Sequence, residues 1–79
     1  MNGQEDILDL NPGFAEYLKA LVRRLDRGEG APYKDITELA FRERIFEEYI
    51  KQGINSLLDT GDLYEPRIGF FKVLEGANA

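Results

Sequence analysis

Residues 54–74 read INSLLDTGDLYEPRIGFFKVL, and this stretch decides the fold. Ile54, Leu57 and Leu58 keep the i, i+3, i+4 spacing of one buried helical face. Thr60-Gly61-Asp62 ends that helix, with Gly61 placed for the left-handed turn that satisfies the last carbonyls. Leu63-Tyr64 and Phe70-Phe71-Lys72-Val73-Leu74 are β-prone runs, and Pro66-Arg67-Ile68-Gly69 between them is turn chemistry. The stretch therefore predicts a helix that runs through a glycine stop into a β-hairpin.

Working outward, Asn11-Pro12 predicts a helix start, with Asn as N-cap and Pro at the first helical position. Phe14, Tyr17, Leu18, Leu21, Val22 and Leu25 then hold helical spacing without a miss, and Gly28-Glu29-Gly30 is read as the stop. Ala31-Pro32-Tyr33 is long enough only for a short edge strand. Asp35-Ile36-Thr37-Glu38 matches a capping box and predicts the opening of a second helix, with Ile36, Leu39 and Ala40 facing inward. No Gly or Pro lies between Asp35 and Gln52, so one long helix is also physically possible there. The positions of Ala40, Ile45, Ile50, Ile54, Leu57 and Leu63 favour a helix-turn-helix instead. Ala40 allows a close crossing and Ile45 plugs a turn near Arg42–Ile45. Gly53, inside the third helix, costs about 1 kcal/mol relative to Ala and marks a close approach to the first helix or a bend.

The order is that of a winged helix-turn-helix: an α+β fold of three helices and a small two- to three-stranded antiparallel sheet. It is expected over residues 11–75, between a flexible acidic tail at 1–10 and a flexible tail at 76–79. Ile7, Leu8 and Leu10 could dock that first tail on the core.

Seventy-nine residues are enough for one domain, which buries only about 60–65 % of the surface of its unfolded chain. With 43 % hydrophobic and 32 % charged residues the composition is that of a globular domain, and no apolar run approaches the roughly 18 residues of a membrane span. The first residues are polar and acidic rather than leader-like. Cysteine and histidine are absent, which excludes a disulfide framework and the common zinc sites and fits a reducing cytoplasmic setting. The net charge of −5 argues against strong nucleic-acid binding, which draws most of its affinity from neutralised phosphates.

Gly61-Asp62-Leu63-Tyr64-Glu65-Pro66-Arg67-Ile68-Gly69-Phe70-Phe71-Lys72-Val73-Leu74 resembles the closing segment of archaeal minichromosome-maintenance (MCM) replicative helicases. There a G-x-[IL]-Y-E-P-R-P-G-[FY]-x-x-[VL] run ends a small C-terminal winged helix. Ile68 departs from the family's usual Pro, and the helix pattern extends the likeness to Phe14–Leu74. No G-x-x-x-x-G-K-[ST] phosphate loop is present, so an ATP site is not expected. The resemblance implies an accessory module that modulates the ring's ATPase and unwinding through weak contacts with DNA, the helicase ring or replication factors. It implies a monomer in a nucleoid-associated location.

The residues name the surfaces such a module would use. DNA contact is expected from Lys51, Gln52 and Asn55 on the third helix and from Arg67 and Lys72 on the wing. Lys19, Arg23 and Arg27 form a possible secondary basic patch, or with Arg24 a solvated face suited to a helix C-terminus. Arg42 and Arg44 either touch a nucleic-acid backbone or pair with Glu38, Glu47 and Glu48. Phe70 and Phe71 point to opposite faces of the hairpin; Phe71 is expected as the exposed partner contact, with the Glu47-Glu48 helix tip beside it. Tyr33 and Tyr49 are read as packing residues with a wet hydroxyl. Without His or Cys, and with carboxylates scattered, no catalysis, cofactor or metal is expected; Asp59 and Asp62 fit no EF-hand loop. Two other readings stand beside the helicase module. One is a dimeric transcription regulator, and the other is a winged helix that binds only protein.

Overall fold

The computed structural model describes residues 11–75. The expected tails, and with them Ile7, Leu8 and Leu10, lie outside the described residues. The elements run α1 (Pro12–Leu25), β1 (Ala31–Pro32), α2 (Tyr33–Arg42), α3 (Glu47–Thr60), β2 (Leu63–Arg67) and β3 (Phe70–Val73). The strands form one antiparallel sheet in the order β1-β3-β2. This is the winged helix-turn-helix, an α+β fold.

Asn11 caps α1 as its position predicts, its side chain accepting from the backbone of Gly13 and Phe14. The stop of α1 differs from the expected glycine signal. The helix ends at Leu25, and the Asp26 carboxylate organises the following loop by accepting from the N–H groups of Gly28 and Gly30 at 2.7 and 2.8 Å.

The capping box is not realised. Helix α2 begins two residues before Asp35, at Tyr33, straight out of β1. Its first N–H has a partner already, because Tyr33 N donates to Gly69 O at 2.8 Å. Asp35 therefore sits inside the first turn, where its charge suits the helix dipole.

Helix α2 breaks where the spacing places the turn. Ile45 N donates to Ala40 O and Arg44 N to Phe41 O, both at 2.9 Å, with Arg44 in the left-handed region at φ 68°. This is the hydrogen-bond pattern of a Schellman helix end. Gly53 marks a close approach rather than a bend, since a Cβ there would lie 2.3 Å from Leu18 Cδ1.

Leu18, Leu21 and Val22 of α1, Ile36 and Ala40 of α2, and Ile50, Ile54 and Leu57 of α3 share one core with Ala31, Leu63, Phe71 and Val73 of the sheet. In the wing, β2 slips register between Tyr64 and Arg67, at Glu65-Pro66, as suits a proline on an edge strand. The Glu65 carboxylate then accepts from Gly69 N at 2.8 Å and closes the turn. Among the described residues, no helix is long and apolar enough to cross a membrane.

Candidate nucleic-acid and partner interface

Helix α3 buries Ile50, Gly53, Ile54 and Leu57, which leaves Lys51, Gln52 and Asn55 together on its exposed face. The helical period places them so: residues at i, i+1 and i+4 share one side. Glu48 stands one turn before them on that side. Glu47 accepts from the Tyr33 hydroxyl at 2.8 Å. Burial, with the Glu47 carboxylate second, pushes the Tyr33 pKa up to about 12.

The wing cations are less available than their sequence position implies. Lys72 Nζ donates to Asp26 Oδ2 at 2.7 Å, and its side chain is only 25 % exposed. The hydrogen bond to Lys72, ahead of those from Gly28 and Gly30, holds the Asp26 carboxyl below its ordinary range. Lys72 is thus a strut between the wing and the loop after α1, and not a displayed phosphate ligand. Arg67 also has structural work: it pairs with Glu29 at 3.0 Å and lies over the Phe70 ring, 4.3 Å from its centroid. It remains 60 % exposed at the wing edge, open to a further contact.

The secondary basic patch is not a free one. Lys19 pairs with Glu16, and Arg23 with Glu75, whereas Arg27 is exposed and in no ion pair among the described residues. Phe71 is a further correction. Strand β1 pairs Ala31 with Phe71, which turns that ring inward against Tyr33, and only 7 % of it is exposed. The exposed apolar residue of the wing is Ile68, at 94 %. Tyr49, read as a packing residue, is exposed as well.

Sequence reasoning did not bring together the largest exposed aromatic group among the described residues. Phe41, Phe46 and Tyr49 all stand out at the corner between α2 and α3. Phe41 and Arg42 line an open cleft of about 480 Å³ with Thr37 and Glu38, and Glu47 of α3 faces them. Phe41 continues no apolar stripe of α2, whose inward face is Ile36 and Ala40. That offset from the helical period was the available signal. Arg42 and Arg44 form no ion pair with Glu38, Glu47 or Glu48 among the described residues.

Comparison with protein-family models, with curated proteins and with solved structures finds no match to this chain.

Proposed function

We propose that this chain is an accessory, non-catalytic winged-helix module of an MCM-type replicative helicase. It touches DNA weakly through Lys51, Gln52 and Asn55 on α3 and through Arg67 on the wing. It touches its protein partner through the acidic α3 tip, Glu47 and Glu48, and the exposed wing tip at Ile68. The observation that carries the reading is the uneven availability of charge. The α3 face offers a cation with no ion-pair partner among the described residues, flanked by two amides, whereas Lys72 is spent on Asp26. Few phosphates can be neutralised by such a surface, so affinity is low and salt-sensitive. The helicase assignment itself rests on the Gly61–Leu74 resemblance.

The action of such a module is positional. Tethered to a motor ring, it shifts the ring between conformations only through contacts that differ between those states. The corresponding location is the cytoplasm, at the nucleoid. The test is the ATPase of an archaeal helicase ring whose own terminal winged helix has been replaced by this chain. A rate that differs from that of the truncated ring supports the reading, and identical rates for the two rings refute it.

A second reading, a winged helix that binds only protein, is favoured by the Glu47-Glu48 tip and the net charge of −5. It predicts no DNA affinity at any salt concentration.

A further inference from the structure

The corner between α2 and α3 departs from two local rules within three residues. Helix α2 closes with Schellman hydrogen bonds, Ile45 N to Ala40 O and Arg44 N to Phe41 O. The left-handed position of that motif ordinarily holds Gly or Asn, because other side chains crowd the backbone there. Here it is Arg44, at φ 68°, the one non-glycine residue with positive φ among those described. Two residues later the N-cap of α3 is Phe46, whose side chain makes no capping hydrogen bond. Ser, Thr, Asp or Asn would satisfy an orphan N–H at that position.

Neither choice is matched by an ion pair or a capping hydrogen bond among the described residues. Arg44 is exposed and in no ion pair among the described residues, and the Phe46 ring is 59 % exposed. Local rules broken without such compensation point to a site.

The neighbours say what kind. Phe41 and Tyr49 are exposed aromatics, and Arg42, like Arg44, is an exposed cation without an ion-pair partner among the described residues. Glu43 and Glu47 are drawn to the Tyr17 and Tyr33 hydroxyls, which leaves Glu48 as the carboxylate of residues 41–51 with no hydrogen-bond partner among those described. Exposed aromatic rings thus lie among available cations along Phe41–Tyr49. Protein surfaces that hold single strands combine these two features: bases stack on rings without regard to sequence, and cations follow the backbone.

We propose that this corner binds single-stranded nucleic acid, with bases stacked on Phe41, Phe46 and Tyr49 and phosphates held by Arg42 and Arg44. A duplex fits worse. Its bases are not free to stack on the rings, and the Glu47-Glu48 tip of α3 would meet its phosphates. The surface lies apart from the wing, and it rests on the preceding reading only in that the chain touches nucleic acid.

The test uses the whole chain, an oligothymidylate of about 12 nucleotides, within the range of known single-strand sites, and a duplex of equal length. Arg44→Gly removes the strained side chain, and Phe46→Ser supplies the missing cap. Both variants are expected to keep or raise Tm while each weakens oligothymidylate binding, Phe46→Ser by at least about fivefold, the scale of one lost stacking contact. A purely structural role would move Tm and binding together. Wild-type affinity in both variants overturns the proposal. So do amide shifts confined to Lys51, Gln52, Asn55 and Arg67, although that result leaves the weak DNA contact of the α3 face standing. No shift with either nucleic acid removes both. Loss of helicase-ring binding in the same variants, without any oligothymidylate binding, would give the corner to a protein and overturn the proposal.

Discussion

Lys72 Nζ sits 2.7 Å from Asp26 Oδ2, and the other oxygen of the same carboxylate holds the N–H groups of Gly28 and Gly30. One side chain therefore ends α1, shapes the loop into β1 and ties that loop to the wing. Gly30 is buried, so its N–H loses a partner that water cannot readily replace when the carboxylate is removed. We predict that Asp26→Ala lowers stability by about 1–3 kcal/mol in urea unfolding. Lys72→Met is expected to be milder because it leaves both backbone bonds in place.

The same carboxylate sets an acid limit. Its pKa is lowered from 3.8 in the folded protein by Lys72 first and the two backbone donors next. A carboxyl depressed by folding stabilises above its unfolded pKa and loses that contribution as pH falls through the folded value. Thermal stability is thus expected to decline below about pH 4. Asp26→Asn should be less stable at neutral pH and show a shallower acid decline, measured by Tm against pH.

An alkaline limit comes from two tyrosines. Tyr17 donates to Glu43 and Tyr33 to Glu47, and burial foremost, then these carboxylates, pushes both pKa values up to about 12. A raised folded pKa means that the protonated hydroxyl stabilises fully below the unfolded value and that this is lost as pH climbs toward the folded one. The window runs from about pH 10 to 12. Tyr17→Phe with Tyr33→Phe should remove this alkaline component, as followed by tyrosinate absorbance and circular dichroism together.

Gly53 illustrates packing overruling propensity. Ala is the better helix former by about 1 kcal/mol, yet its Cβ would meet Leu18 Cδ1 at 2.3 Å and Phe14 Cε2 at 3.0 Å. Leu18 is fully buried, so its side chain would have to shift within the packed core. Overpacking of this kind costs about 1–3 kcal/mol. Gly53→Ala should therefore be destabilising by about 1 kcal/mol net.

Helix α1, the hairpin and its glycine stop were legible because periodicity and turn chemistry are local. The turn between α2 and α3 was legible only from the apolar spacing of Ala40, Ile45 and Ile50, since Arg44 occupies the place where a glycine would have announced it. The start of α2 was misplaced because its first donor is satisfied by Gly69 O, a partner with no local signature. The wing cations misled for the same reason: the partners of Arg67 and Lys72, Glu29 and Asp26, lie 38 and 46 residues away. Alternation alone leaves open which of Phe70 and Phe71 points inward, and pairing with β1 decided it. The aromatic corner was not assembled because Tyr49 was assigned to packing by type and Phe41 was given no role, and only exposure separates a displayed ring from a core one.

Pairing in the wing changes what a wing mutation should do. Arg67→Ala with Lys72→Ala breaks two internal ion pairs. It is expected to lower Tm, while DNA affinity at matched folded fraction falls less than it does for Lys51→Ala with Asn55→Ala.

The most direct measurement is an amide-resolved NMR titration of the chain with a short DNA duplex at about 50 and 200 mM salt, a range over which phosphate contacts weaken steeply. We predict shifts centred on Lys51, Gln52 and Asn55 that shrink at the higher salt. Unmoved amides on α3 at both salt concentrations would contradict the DNA-contacting module and leave the protein-only winged helix in its place.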